Sequence, residues 1–159
     1  MRHYVAALAL AAVLTSAPTA AALAQDEGGD AVMMNAVMAN AITWADLDVP
    51  GFPMGMEIAV LLGNPDEAGQ YTLRLRFPDG YLFPPHWHPM AENLTVLSGT
   101  LLLAMGDRVD DSKLQTYGVG DYLHIPPTMP HFGSVQGTTI LQAHGEGPFV
   151  INVLESASR

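Results

Sequence analysis

The sequence predicts an all-β sandwich or barrel, and three observations carry that reading. Apolar or alternating runs of five to seven residues recur between turn signals from residue 57 onward. Gly (15) and Pro (12) make up 27 of the 159 residues, a level that suits many turns better than long helices. No stretch after residue 45 keeps a helical period over three turns.

The runs follow in order. Residues 58–62 are apolar and stop at Gly63-Asn64-Pro65-Asp66, a turn cluster. Residues 71–77 alternate, with Tyr71, Leu73, Leu75 and Phe77 on one face and Thr72, Arg74 and Arg76 on the other, until Pro78-Asp79-Gly80 breaks the pattern. Residues 93–97 and 100–105 flank Ser98-Gly99 and read as a hairpin. Residues 106–112 form an acidic loop, and runs at 121–125, 138–144 and 148–154 complete the set. Gly80 and Gly99 stand where strands turn and a positive φ is cheap. Pro126 ends a strand without leaving an unpaired donor.

Residues 1–24 are expected to lie outside that domain. Met1-Arg2-His3 precedes an apolar stretch over 4–14, a Thr/Ser/Pro cluster, and Ala22-Leu23-Ala24 before Gln25. A basic start, a short apolar centre and an A-x-A site are the layout of a secretory signal peptide, cleaved here after Ala24. A spanning helix needs about 20 apolar residues, and the Thr/Ser/Pro cluster comes too early. The chain has no Cys, so a lipoprotein anchor is excluded. The expected location is the periplasm or the exterior. Cleavage removes Arg2 and no acid, so 5 Lys+Arg and 16 Asp+Glu remain over 25–159, a net charge of −11. Residues 25–43 read as an arm, with a short helix over 31–41 capped by Asp30, and residues 44–159 as the folded domain.

Composition narrows the chemistry. A formal charge of −10 argues against a nucleic-acid or anionic-membrane surface, since both need clustered Lys and Arg. Without Cys there are no disulfides, thiolate metal sites or cysteine nucleophiles, so chemistry falls to His, carboxylate, hydroxyl and amide groups. His86-Trp87-His88 lies between Pro84-Pro85 and Pro89, and in extended chain both imidazoles share one face. Glu92 follows four residues after His88, and His131 stands far downstream after Pro130. Three imidazoles and a carboxylate suit one divalent transition metal among Fe, Mn, Ni, Cu, Co and Zn, and leave two positions of an octahedral ion open.

These residues carry a family resemblance. Gly80-(five)-His86-Trp87-His88-(three)-Glu92-(six)-Gly99 resembles the first cupin motif at every fixed position. Gly120-(five)-Pro126-Pro127-Thr128-(two)-His131 resembles the second, with 100–119 as the stretch between the two motifs. Thr128 stands where cupins usually have Gly, and Val135 where they usually have Asn. The resemblance covers residues 50–155 and is strongest to small exported bacterial single-domain cupins, which share the "PPHWHP…VLSG" core and a segment like His144-Gly145-Glu146-Gly147-Pro148-Phe149. It implies a single cupin β-barrel or double-stranded jelly roll, with His86, His88, Glu92 and His131 as metal ligands. It also implies a small-molecule substrate, dioxygenase-like chemistry with Glu92 as ligand or proton acceptor, and a homodimer formed through residues 44–62. Other cupins are isomerases, decarboxylases or non-catalytic binding modules.

The remaining candidates keep two readings each. His124 either orients a ligand or is a half-buried structural histidine. Gln142 and His144 share a face and either line the barrel interior or satisfy backbone groups. Arg74 and Arg76 either bind an anion or form a solvated strand face.

Overall fold

A computed structural model of the protein describes residues 35–154. The expected signal peptide and residues 25–34 of the expected arm lie outside the described residues. Over the described part of the helix expected at 31–41, the chain makes only a 3-10 turn at Ala39–Ala41, entered from an extended Met38 (φ −75°, ψ 139°). No residue of that turn is buried, so no apolar face is packed to hold a longer helix.

Among the described residues nine strands follow: β1 (Ala45–Asp46), β2 (Glu57–Leu62), β3 (Gly69–Phe77), β4 (Leu82–Trp87), β5 (Glu92–Met105), β6 (Gln115–Tyr117), β7 (Tyr122–Ile125), β8 (His131–Gly147) and β9 (Asn152–Val153). All pairings are antiparallel, in the order β1-β2-β3-β8-β4-β9, with β5 joining β8 to β6 and β7. The fold is all-β, a curled antiparallel sheet of jelly-roll type.

The curl comes from the two longest strands, β5 with 14 residues and β8 with 17. They pair from Asn93↔His144 to Met105↔His131 but change their outer partners midway. β8 faces β4 at its start and β3 from Thr139 onward, while β5 faces β7 at its start and β6 near its end. Residues 93–105 are therefore one bent strand, where a hairpin at Ser98-Gly99 was expected. Gly99 (φ +72°) makes a bulge facing β8, and a Cβ there would collide with the Thr139 hydroxyl. A hairpin would send the two halves back along each other. Here both halves hydrogen-bond to the same neighbour.

Alternation sets the core. Tyr71, Leu73, Leu75 and Phe77 are buried as their spacing predicts, against Leu94, Val96, Leu101 and Leu103 of β5 and Leu141 and Ala143 of β8. The opposite face carries Arg76, which pairs with Glu57 at 2.5 Å and lies over the Trp44 ring at 4.4 Å. Arg74 reaches Gln142 at 3.2 Å on the same face. Both arginines thus pair within the protein. The run expected at 148–154 contributes only β9, which pairs with the end of β4.

Candidate metal centre

Four polar side chains sit inside this apolar barrel, each near a strand end. His86 lies on β4 and His88 just past it, Glu92 opens β5, and His131 opens β8 opposite His86. They are among the few buried polar residues, at 7%, 5%, 5% and 1% exposure in that order. One ring nitrogen from each histidine falls within 4.8 Å of the other two. Glu92 adds an oxygen 3.5 Å from His88 Nε2 and 3.6 Å from His131 Nε2.

The main chain decides which nitrogen faces inward. Nδ1 of His86 bonds the Pro84 carbonyl at 2.8 Å, and Nδ1 of His131 bonds the Met129 carbonyl at 3.1 Å. His88 Nδ1 bonds the Val150 carbonyl at 2.8 Å. A carbonyl only accepts, so each Nδ1 carries the proton and each Nε2 keeps a free lone pair. This arrangement orients a metal-binding imidazole. Rings complete the support: Phe52 packs edge-on to His86 at 5.0 Å, and Phe149 stacks on His88 at 5.1 Å and 14°.

Electrostatics agree with the geometry. Burial, reinforced by the neighbouring His131, lowers the His86 pKa to about 2. Burial likewise lowers those of His88 and His131, against an opposing pull from Glu92 on His131. The three imidazoles therefore stay neutral. Burial raises the Glu92 pKa to about 7, with His131 pulling the other way. His88 Nε2 is a buried polar atom with no hydrogen-bond partner among the described residues, which is costly unless something outside the protein satisfies it. Three neutral nitrogens could hold a metal ion, and with one carboxylate oxygen the donor set suits a divalent transition metal.

Comparison with known proteins matches these elements. The model of the cupin domain family matches residues 73–144, which include all four side chains. This stretch is a cupin domain. The polyketide cyclase RemF from Streptomyces resistomycificus superposes with a TM-score of 0.63 at 22% identity, covering 79% of this chain and 89% of that one. The DMSP lyase DddQ from Ruegeria pomeroyi gives 0.58 at 17% identity over 76% and 64% of the two chains. An RmlC-like cupin from Shewanella frigidimarina gives 0.54 at 16% identity over 72% and 91%. At these identities the likeness is one of fold. No curated protein sequence matches the chain.

Other expected positions of this cupin fall differently. Gly80 (φ +74°) and Gly120 (φ +93°) occupy tight turns before β4 and β7, and Pro126 follows the last residue of β7. His124, Gln142 and His144 do not line the interior. Leu141 and Ala143 take the inward positions of β8, which turns Gln142 and His144 outward. His124 is exposed and bonds Asn93 Oδ1 at 2.8 Å, beside the Tyr122 hydroxyl at 2.7 Å from the same oxygen. Thr128 keeps the left-handed backbone (φ +63°) that its usual glycine would adopt. Its N–H donates to the His88 carbonyl at 2.8 Å, which ties the loop before His131 to the segment after β4.

Sequence reasoning missed the groups that hold the imidazoles. Pro84 and Met129 each lie two residues before the histidine they orient, a local pattern open to inspection. Phe52, Phe149 and the Val150 carbonyl come from distant segments and carry no such signal.

Proposed function

We propose that this cupin is an exported, metal-dependent enzyme acting on a small organic molecule, with His86, His88, His131 and Glu92 as the ligands of one divalent transition metal. The single observation that carries the reading is the convergence of three buried imidazoles whose Nδ1 atoms are all held by backbone carbonyls, so that their free nitrogens point together. A bound ion would supply Lewis acidity and, if redox-active, the electrons for oxygen chemistry of dioxygenase type.

The chain's own residues do the rest. The carbonyls fix the tautomers. The apolar walls strengthen every charge interaction beside them. Glu92 either binds the ion or, released from it, accepts a proton from the ligand, a role to which its raised pKa is suited. A second reading, a non-catalytic module that holds a metal, is favoured by the small cavity beside the site, about 40 Å³.

Metal analysis of untagged protein tests the centre. About one equivalent of a first-row transition metal is expected. The His86→Ala, His131→Ala double variant should lose it, and unchanged content would remove the assignment. Oxygen uptake by the Fe(II) form on phenols, flavonols, diketones and thiols separates enzyme from binder. Export rests on the N-terminal pattern, and exported protein should begin at Gln25. Dimerisation through residues 44–62, whose β1 lies at the end of the strand order, is checked by sedimentation.

A further inference from the structure

The cavity beside the four donors selects by what it lacks. Apart from His86, His88, Glu92 and His131, every side chain lining it is apolar, including Phe52, Leu75, Phe83, Leu141, Phe149 and Ile151. Among the described residues no hydroxyl, amide or cationic side chain belongs to its lining, and all three imidazole N–H groups are already spent on carbonyls. The cationic side chains of the described residues lie elsewhere. Arg74 and Arg76 pair on the outer face, Lys113 pairs with Asp110, and Arg108 lines a separate surface groove.

The surroundings continue this character. Met90 stands between His88 and Glu92 in the chain, Met129 two residues before His131, and Val150 beside Phe149. They are exposed at 40%, 44% and 39%. Each segment that bears or holds a ligand thus presents an apolar side chain to solvent. The cavity, about 40 Å³, has room for about three waters, enough for the polar end of a ligand but not for an aromatic ring.

Charge adds a second constraint. A divalent ion, one carboxylate and three neutral imidazoles sum to a single positive charge. One deprotonated ligand oxygen brings the site to neutrality. A dicarboxylate would leave a net negative charge against apolar walls, and a monocarboxylate bound through one oxygen would keep the other with no donor to meet it.

We propose that the site takes an uncharged, largely apolar molecule bearing one acidic hydroxyl, a phenol or an enol, and discriminates against carboxylates. This rests on the metal-centre reading above. The hydroxyl oxygen would enter the cavity and the apolar body would lie against Met90, Met129 and Val150.

The test is binding, read by calorimetry on the intact protein loaded with Co(II), after the Co(II) content has been measured. 4-Nitrophenol and 4-nitrobenzoate share a skeleton and differ in the acidic group. The phenol is expected to bind about tenfold or more tightly than the benzoate. Equal affinities, tighter binding of the benzoate, or no heat with the phenol would each overturn the proposal while leaving the metal centre standing. Failure to take up Co(II), or equal uptake by the His86→Ala, His131→Ala variant, would overturn the metal centre and the ligand class with it.

Discussion

Replacing Glu92 by Gln should stabilise the metal-free protein at alkaline pH and weaken metal binding. Glu92 is 5% exposed, and burial raises its pKa from 4.5 to about 7. Between those values the folded chain holds a proton that the unfolded chain has released. Raising the pH through that window therefore favours unfolding, and the penalty is complete above pH 7. At about 1.4 kcal/mol per pH unit, the gap amounts to about 3 kcal/mol. Gln keeps the shape and cannot ionise, but its buried amide costs about 1 kcal/mol if it lacks partners. Chelated Glu92→Gln should then exceed chelated wild type by about 2 kcal/mol at pH 8 and lose that advantage at pH 4.5. Urea unfolding followed by circular dichroism measures both. The histidines are common to the two proteins and cancel in the difference to first order. With metal present the order should reverse, since the variant lacks the anionic oxygen. A variant less stable than wild type at pH 8 without metal, or a difference independent of pH, would refute the argument.

Three further outcomes are expected. Chelated wild type should lose stability as pH falls below 6.5, because His86, His88 and His131 have lowered pKa values and only the unfolded chain takes up their protons; each contributes up to about 1.4 kcal/mol per pH unit, seen as a falling urea midpoint. Thr128→Gly should raise the melting temperature by about 3 °C, since relieving a left-handed Thr returns about 1–2 kcal/mol and the added chain entropy takes back about half. Phe149→Ala should weaken metal binding about tenfold by freeing the His88 ring, with melting of the chelated protein reporting the separate loss of packing.

The fold was legible wherever one strand's own alternation decided its faces, as in β3. It was not legible where the deciding contact is distant. Ser98-Gly99 has the composition of a turn, and only the pairing of both flanking runs with β8 shows it to be a bulge. Gln142 and His144 mark a third case. Period two says that they share a face but not which face is inner. The neighbours Leu141 and Ala143 held that information, because the apolar set of a half-buried strand faces the core. Imidazole chemistry drew attention to the wrong parity.

The convergence of His86, His88, Glu92 and His131 was legible for a different reason. His86, His88 and Glu92 lie close together in the chain, and extended backbone fixes their relation with little help from the rest of the fold. His131 is brought in by the β4–β8 register. What spacing does not encode is the cost of the arrangement. Burial holds three imidazoles neutral and pushes a carboxylate toward its protonated form, so in the absence of a cation these groups oppose folding at both ends of the pH range. Leu or Phe at those positions would extend the apolar core without that penalty. Three backbone carbonyls satisfy the ring N–H groups and hold the rings in one tautomer, which leaves the opposite nitrogens free and His88 Nε2 buried without a partner among the described residues. A destabilising set of polar groups, oriented this closely, could hold a cation, and binding of that cation to the folded chain would offset the cost by mass action.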